Sequence, residues 1–373
     1  MSHQTYLGLR KRGGGFSLVE IMVALVVGLL GTIVIFQVFA VSEGYKRTTT
    51  GGSDAQQNGG SALFEIERDL RRAGYGVNQS LFLGCAIQYW DELNPGVNPA
   101  LVLAPVNIDQ GASGAPDSIT VLFGNSDLLP TPAKFTQNMP SASADFKVDN
   151  RFGFREGDLI VAAEAGKDCT LAQVSNLPAT GNQTLNVIHN SGNYTDPITN
   201  EQEPTRYNKP GGLSITYTTA GQLFNIGSLP TDNVYSVSVP NSQLMSRAVL
   251  TNSANAAIVD GIVQMQAQYG KDDGASGGTA NDGIVDSWDE IDPTTPATWS
   301  QVLAVRLALV ARSGLRERPD AATGLCNITT TMPAWIGGTI TLTNDGDGTS
   351  WQCYRYRTYE TVAPIRNMIW KPE

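Results

Sequence analysis

The sequence predicts an α+β fold in which a long N-terminal helix, first transmembrane and then amphipathic, packs on an antiparallel β-sheet head with an elaborated β-rich subdomain. Three observations support this prediction. Residues from Ile21 to Ser42 carry no charge, and an amphipathic helical pattern follows them. Beyond it, short apolar segments alternate with turn-forming clusters, and the chain has 39 glycines, 19 prolines and only 16% charged residues. Such a composition is typical of short strands joined by many turns.

The uncharged segment has the length of a membrane-spanning helix. Its 22 residues would rise about 33 Å as an α-helix, which is enough to cross the hydrocarbon layer. A basic cluster from Arg10 to Arg12 precedes it and Glu43 follows it, so the positive-inside bias places the N-terminus in the cytoplasm. An ordinary cleaved signal has a shorter apolar core with small residues after it, whereas here the glycines at 13–15 come first. The segment therefore predicts a membrane anchor.

One carboxylate, Glu20, lies four residues after Phe16 inside the otherwise apolar run. A charge at such a position is costly unless a cation meets it, and it is therefore usually functional. Cleavage after Gly15 would supply the cation, because it frees the α-amino group of Phe16 at the depth of Glu20 in a neighbouring helix. These residues predict pairing between two subunits, for which a plain single-pass anchor would have no need.

The residues from Gly14 to Leu25, GGFSLVEIMVAL, resemble the processing motif of type IV pilins and pseudopilins. The resemblance implies that a prepilin peptidase cuts after Gly15, that the new N-terminal Phe16 is methylated, and that Glu20 aids registration of the incoming subunit in the filament. The leader is longer than in many main pilins. The helix also lacks the proline at which main pilins often kink, and Gly28 and Gly31 would soften it instead.

A second helical pattern covers residues 61–73. Glu67 stands four residues before Arg71, a spacing that favours a supportive ion pair on a helix surface. Two glycine pairs, at 51–52 and 59–60, predict an interruption between the two helical stretches, because each glycine costs roughly 1 kcal/mol relative to alanine. Gly74 and Gly76 supply a stop. The apolar stripe that a sheet must cover consists of Leu63, Ile66, Leu70 and Ala73.

The sequence of the head that follows predicts short strands. In the segment 263–269 Val, Met, Ala and Tyr alternate with three glutamines, which predicts a half-buried strand with one face in the core and one solvent-exposed (wet) face. The late strands are the expected partners of the helix stripe. Predicted strands are 118–123, 158–162, 213–217, 263–269, 302–312 and 351–359. The predicted organisation is a cytoplasmic leader peptide (1–15), a transmembrane and polymerisation helix (16–42), an amphipathic continuation (43–76), an elaborated β-rich head region (77–250) and a C-terminal pilin-like sheet region (251–373).

Three segments of the head, 258–270, 305–313 and 356–368, resemble PilW-type minor pilins. The resemblance implies a minor pilin that joins other minor pilins and the major pilin, primes pilus assembly and lies in a complex at the tip. It also implies a single-pass inner-membrane protein whose periplasmic head later reaches the cell surface in the pilus. Two alternatives stay open: a J-type pseudopilin of a type II secretion system, and a membrane-anchored adhesin or binding module that does not polymerise.

Four cysteines, Cys85, Cys169, Cys326 and Cys353, follow the apolar segment, and none belongs to a C-x-x-C pair. Disulfides are therefore favoured over a metal site, and they indicate an oxidising compartment such as the periplasm. The pairing Cys85–Cys169 with Cys326–Cys353 is preferred, since closing the short C-terminal loop would stabilise the fold by roughly 3–4 kcal/mol. The other two pairings and four free thiols stay open.

Charge and motifs argue against other functions. The net charge is −10, and removal of the three basic residues at 10–12 with the leader leaves 22 basic against 35 acidic residues, or −13, which disfavours nucleic-acid binding. The mature chain has one histidine, His189, and no common catalytic motif, so we predict no enzyme and no cofactor. Acidic stretches at 272–290 and 344–348 are interpreted as hairpin turns, with a calcium loop as the alternative.

Overall fold

The computed structural model describes residues 15–96, 99–128, 131–320, 322–345 and 348–369. The chain divides into two compact units, Met1–Thr50 and Gly51–Glu373. Three α-helices occur in the described residues, namely α1 (Leu18–Leu70), α2 (Pro296–Ser300) and α3 (Arg366–Ile369). The predicted leader, apart from Gly15, lies outside the described residues, and so do positions 346 and 347 of the second acidic stretch.

Twenty strands are formed by the described residues after Thr50. The first ten are β1 (Ile87–Gln88), β2 (Val106–Asp109), β3 (Ser118–Phe123), β4 (Ala133–Lys134), β5 (Phe146–Lys147), β6 (Leu159–Ala163), β7 (Cys169–Gln173), β8 (Asn186–Val187), β9 (Asn193–Thr195) and β10 (Gln202–Pro204). The others are β11 (Gln222–Gly227), β12 (Thr231–Ser238), β13 (Gln243–Ala248), β14 (Ala256–Asp260), β15 (Ile262–Lys271), β16 (Ser287–Asp289), β17 (Val302–Arg312), β18 (Ala334–Trp335), β19 (Gly338–Thr339) and β20 (Tyr356–Pro364). This β-rich head and the long helix confirm the predicted α+β class.

Three larger sheets organise the head. Sheet I has the order β1-β7-β6-β11-β4, sheet II the order β14-β13-β12-β3-β2 and sheet III the order β16-β15-β17-β20. Neighbouring strands are antiparallel throughout, except that β1 runs parallel to β7. Shorter pairs join β5 to β8, β9 to β10 and β18 to β19. The predicted boundary between 77–250 and 251–373 stays a prediction.

The C-terminal turns of α1 bury the predicted apolar stripe. Ile66 and Leu70 are fully buried, and Ala73 is buried just after the helix ends. The late strands of sheet III are partners of this stripe, as predicted, and sheet II is a second partner that the sequence did not indicate. This core contains Ala55, Ala62, Ile66 and Leu70 of α1, Val106, Ile108, Ile119, Val121, Tyr235 and Leu244 of sheet II, and Met265, Ala267, Tyr269, Val305, Leu307, Leu309 and Ala363 of sheet III.

The predicted interruption of the helix at the glycine pairs is wrong, since α1 runs unbroken to Leu70. Gly59 is buried, and a Cβ at this position would clash with the ring of Tyr359 on β20. The hydroxyl of Tyr359 donates to the carbonyl oxygens of Ala55 and Gln56, at 3.4 and 3.2 Å. Gly59 therefore allows sheet III to approach the helix backbone closely, a function that helix propensity alone does not reveal.

The predicted wet face of β15 is also wrong. Gln264 and Gln268 are only 3% and 7% exposed. The segment between β17 and β20 covers this side of sheet III, where Trp335 packs in one cluster with Ala308 and Val310. The amide of Gln264 donates to the carbonyl oxygens of Gly114 and Thr341, at 2.8 and 3.1 Å. Long glutamine side chains thus satisfy buried backbone acceptors, so their alternation with apolar residues does not mark solvent.

Some of the other predicted strands are present in the structure and others are not. Strands 118–123 and 302–312 coincide with β3 and β17, and 158–162 lies one residue before β6. Residues 213–217 form no strand; Leu213 and Tyr217 are buried, and the Tyr217 hydroxyl donates to the carbonyl oxygen of Asp168 at 2.9 Å. Residues 351–353 form a 3₁₀ turn and the last strand begins at Tyr356. In these segments the alternation indicates burial rather than strand pairing.

A buried carboxylate joins sheets II and III. Asp117 precedes β3 and is 2% exposed. Its two carboxylate oxygens accept hydrogen bonds from the backbone N–H groups of Gly111 and Ala267, both at 2.8 Å, and its own N–H donates to Met265 at 2.9 Å. Burial raises the pKa of Asp117 to about 6, against the two hydrogen bonds that lower it. The carboxylate therefore accepts a hydrogen bond from a backbone N–H group of β15 that no neighbouring strand pairs with. In return it is buried and loses its contact with water.

This geometry predicts a pH-dependent contribution to stability. Because the folded-state pKa of Asp117 lies above its ordinary value of 3.8, its contribution is fully present at low pH and is lost as the pH rises to about 6. We expect the free-energy difference between wild type and Asp117→Asn to change by about 2–3 kcal/mol between pH 4 and pH 7. Urea unfolding of the unit Gly51–Glu373 at both pH values measures it, with exposed Asp54→Asn as control. An identical difference at the two pH values would contradict the prediction.

Candidate assembly site

Ser17 fixes the start of α1 beside the predicted processing site. Its hydroxyl oxygen accepts a hydrogen bond from the backbone N–H of Glu20 at 3.2 Å, and its carbonyl oxygen accepts one from Ile21 at 3.1 Å. This is one half of a capping box, and the S-x-x-E spacing in the sequence was the signal for it that our sequence analysis did not use. The reciprocal bond from Ser17 N–H to the Glu20 carboxylate is not among the hydrogen bonds of the described residues. The Glu20 carboxylate accepts none of the hydrogen bonds recorded for the described residues.

Gly15 and Phe16 precede the helix and have no regular secondary structure. Gly15 is exposed, and a Cβ there would meet no atom within 4 Å. Phe16 is 78% exposed. The peptide bond between these two residues is therefore open to an enzyme, and the chain that follows it is already organised as a helix. The assigned roles in processing stay predictions.

The first part of α1 presents an uncovered apolar surface. Its large apolar side chains from Leu18 to Val41 are all exposed in the single chain. Among the helices of the described residues, α1 is the one that is long and apolar enough to cross a membrane. A surface of this kind requires lipid or other apolar helices around it. This helix fits an inner-membrane anchor.

Glu20 lies on one face of this apolar helix. Phe16, Ala24 and Gly28 line the same shallow depression as Glu20, and Gly28 has open space where a Cβ would be. Of the ion pairs formed by the described residues, none includes Glu20. In hydrocarbon or in a helical bundle, the carboxylate would favour a cation strongly, because the surrounding dielectric constant is low. The arrangement therefore suits pairing with an amino group of another chain.

The four cysteines belong to the unit Gly51–Glu373. Cys85 is bonded to Cys169 on β7, with their Cα atoms 5.7 Å apart, and Cys326 is bonded to Cys353, with Cα atoms 4.9 Å apart. The first disulfide ties the strand pair β1–β7 of sheet I to the preceding turn. The second ties the segment that covers sheet III to the start of β20. Two disulfides agree with an exported protein.

His189 is placed as a structural residue. Its side chain is 4% exposed, its Nε2 lies 3.1 Å from the carbonyl oxygen of Ala144, and its ring packs 4.4 Å from that of Phe146. Burial lowers the pKa of His189. An imidazole held between a carbonyl oxygen and an aromatic ring has the contacts of a buried structural residue.

The acidic stretch 272–290 directs its carboxylates at its own backbone. Asp272 accepts hydrogen bonds from Asp282 and Gly283 N–H, and Asp286 accepts one from Gly274 N–H. The described part of the chain contains no group of three or more His, Cys, Asp or Glu side chains arranged to hold a metal ion. These contacts are those of turns, in which carboxylates bind nearby backbone N–H groups.

Two family models match the chain. The model described as prokaryotic N-terminal methylation motif matches residues 10–36, and the model described as type IV pilus-assembly protein W matches residues 232–367. The first match contains the leader junction and Glu20. The second begins in β12, includes all of sheet III and ends within α3. No curated protein gives a significant match to the chain, and no solved structure does so either.

The residues between the two matches, including all of sheet I, belong to neither. The methylation-motif match implies processing by a prepilin peptidase and partners in a pilus system, and the pilin families are structural rather than catalytic in kind. The apolar helix α1, the uncovered carboxylate at its start and the helix-on-sheet core agree with both matches. The two matches support a type IV pilin of the PilW type.

Proposed function

We propose that this chain is a minor pilin that primes assembly of the type IV pilus and belongs to a complex of minor pilins at its tip. One observation supports the proposal: Glu20 lies on an exposed apolar helix, about one turn after the junction at Gly15, and none of the ion pairs of the described residues includes it. A single chain leaves both the apolar surface and the charge unsatisfied, whereas a bundle of pilin helices satisfies both.

The proposed pathway has three steps. The precursor is inserted in the inner membrane with its N-terminus in the cytoplasm and its head in the periplasm. The prepilin peptidase cuts after Gly15 and the amine of Phe16 is methylated, which leaves it positively charged. Glu20 of an incoming subunit then binds this amine in the filament, and the head becomes exposed at the cell surface. In this pathway the chain has no catalytic step of its own.

The match to pilus-assembly protein W favours the pilus over a type II secretion pseudopilus. Priming makes a specific prediction: deletion of this chain reduces the number of filaments per cell and leaves the length of the remaining filaments nearly normal. Electron microscopy of wild-type, deleted and complemented cells measures both quantities, and antibody labelling of the head is expected at filament ends. Unchanged filament number, or labelling along the whole filament, contradicts the proposed role.

The processing step has its own test, which requires no functional assay. Intact mass and N-terminal sequencing of the protein purified from its native membrane are expected to show a chain that begins at Phe16 and carries one added methyl group. The control is the same protein from cells without prepilin peptidase, in which it is expected to begin at Met1. A protein that begins at Met1 in normal cells would overturn both the processing and the pairing of Phe16 with Glu20.

A further inference from the structure

Three exposed arginines meet at one open cleft of the unit Gly51–Glu373. Arg71 and Arg72 follow the end of α1, and Arg366 opens α3 almost three hundred positions later. The cleft has a volume of about 480 Å³, and its floor is formed by Tyr75 and Phe123. Because the mature chain has a net charge of −13, a concentration of guanidinium groups is unusual on this protein and calls for a physical reason.

The cleft is rigidly held. The side-chain amide of Asn367 donates to the carbonyl oxygens of Arg72 and Ala73, both at 3.0 Å, and so fixes α3 to the end of α1. The hydroxyl of Tyr75 donates to the carbonyl oxygen of Ser126 at 3.0 Å. Little ordering entropy remains to be lost when a partner binds to such a surface.

Some charged side chains of the cleft form ion pairs within the chain, and others do not among the described residues. Arg71 pairs with Glu67, and the carboxylate at the rim, Asp127, pairs with Arg155 at 2.7 Å. Arg72 and Arg366 belong to no ion pair among the described residues. The guanidinium of Arg72 lies 4.7 Å from the centroid of the Phe123 ring, a stacking that positions it but leaves its hydrogen-bond donors available.

Helix electrostatics explain only part of this arrangement. Cations are favourable near the C-terminal end of a helix, so Arg71 and Arg72 suit the end of α1 without any ligand. Arg366 belongs to α3, which has only four residues, so its first and last turns coincide and the helix neither favours nor disfavours a cation there. The carbonyl oxygens at the end of α1 already accept from Asn367. Arg72 and Arg366 thus line one cleft, and neither has an ion-pair partner among the described residues.

We propose that this cleft binds a carboxylate-bearing segment of a neighbouring pilin subunit and so fixes the order of subunits in the minor-pilin complex. The proposal rests on the proposed function and adds a second, sequence-specific contact to the helix bundle. Guanidinium groups form bidentate hydrogen bonds with carboxylates, and complementary charge selects the partner and its register more than it adds affinity. Pilins share the apolar helix, so a polar contact of this kind on the head distinguishes one subunit from another.

The test uses the full chain in its native host. A photo-crosslinking residue replaces exposed Asn125 at the rim, and the crosslinked peptide is identified by mass spectrometry. We expect a pilin segment that contains at least two carboxylates. The double variant Arg72→Glu/Arg366→Glu is expected to lose this crosslink, whereas Arg316→Glu/Arg318→Glu, which changes the net charge equally at exposed positions elsewhere, is expected to keep it.

Further outcomes decide the proposal. Arg72→Lys/Arg366→Lys is expected to retain the crosslink, and lysines in place of the carboxylates of the partner are expected to restore it in the double glutamate variant, which also shows that this variant folds. Crosslinks to lipid, to a segment without carboxylates or to nothing overturn the proposal. If the wild-type chain enters filaments without this crosslink, the cleft proposal fails and the proposed function stands; if it never enters filaments, the proposed function fails.

Discussion

Replacement of Glu20 by alanine is expected to abolish incorporation of this chain into filaments while its head remains folded. In the assembled state the amine of Phe16 on a neighbouring subunit would lie in an apolar bundle without a counter-ion. Removal of one partner from a buried ion pair costs about 3–5 kcal/mol, because the remaining charge is left uncompensated. The expected consequence is a loss of incorporation of about 100-fold or more. Quantitative immunoblots of sheared filaments and of membranes measure it.

The control variants separate charge from shape. Glu20→Gln keeps the size of the side chain and removes its charge, so it is expected to fail nearly as completely as Glu20→Ala. Glu43→Gln lies just past the uncharged segment and is expected to incorporate normally. Both proteins should remain in the membrane at wild-type amounts, since removal of a charge from an apolar helix does not weaken its insertion. Normal incorporation of Glu20→Ala would count against the proposed pairing and against membership of the polymer.

The sequence predicted a helix or strand correctly where a whole face of that element lies in a single environment, either the core or the membrane. The apolar run through Ile21 predicted the first part of α1, and the stripe at Ile66 and Leu70 predicted its buried face. The apolar strand β17 was found at its correct bounds because it is buried on both sides. Such patterns are local, since the residue type at each position reflects the burial of that position alone.

Errors arose where a distant residue decides the environment. Gln264 was predicted to be exposed to solvent, but its side-chain amide donates a hydrogen bond to the carbonyl oxygen of Thr341, which is 77 positions away. The run 213–217 alternates as a strand does, yet it forms no strand and instead makes separate backbone hydrogen bonds, from Leu213 N–H to Ala142 and from Met139 N–H to Tyr217. The arginine cleft combines the end of α1 with α3, a juxtaposition that exists only once sheet III has folded on the helix. No local pattern contains this information.

The candidate assembly site is a prediction from the sequence alone, because its residues are close neighbours along the chain. Phe16 and Glu20 are one helical turn apart, and the glycine before Phe16 is adjacent to the predicted cut. The structure adds the cap from Ser17 and the exposure of the whole segment.

Gly59→Ala and Gly60→Ala are expected to change the stability of the head in opposite directions. Both positions lie within α1, one residue apart, and both substitutions add one methyl group and improve helix propensity by about 1 kcal/mol. At Gly60 the added Cβ meets no atom within 4 Å, so the gain is expected to appear as a stabilisation of about 0.5–1 kcal/mol. At Gly59 the Cβ clashes with the ring of Tyr359.

The Gly59 substitution therefore forces the ring or the strand to move. Overpacking of a close contact costs about 1–3 kcal/mol, and displacement of Tyr359 also removes its hydrogen bonds to the carbonyl oxygens of Ala55 and Gln56, each worth about 1 kcal/mol. We expect the two variants to differ by about 3 kcal/mol in urea unfolding of the unit Gly51–Glu373. The double variant Gly59→Ala/Tyr359→Ala removes the clash and should recover part of the loss. Equal stabilities for the two single variants would contradict the close approach of sheet III to the helix backbone at Gly59. A glycine would then not be required at this position.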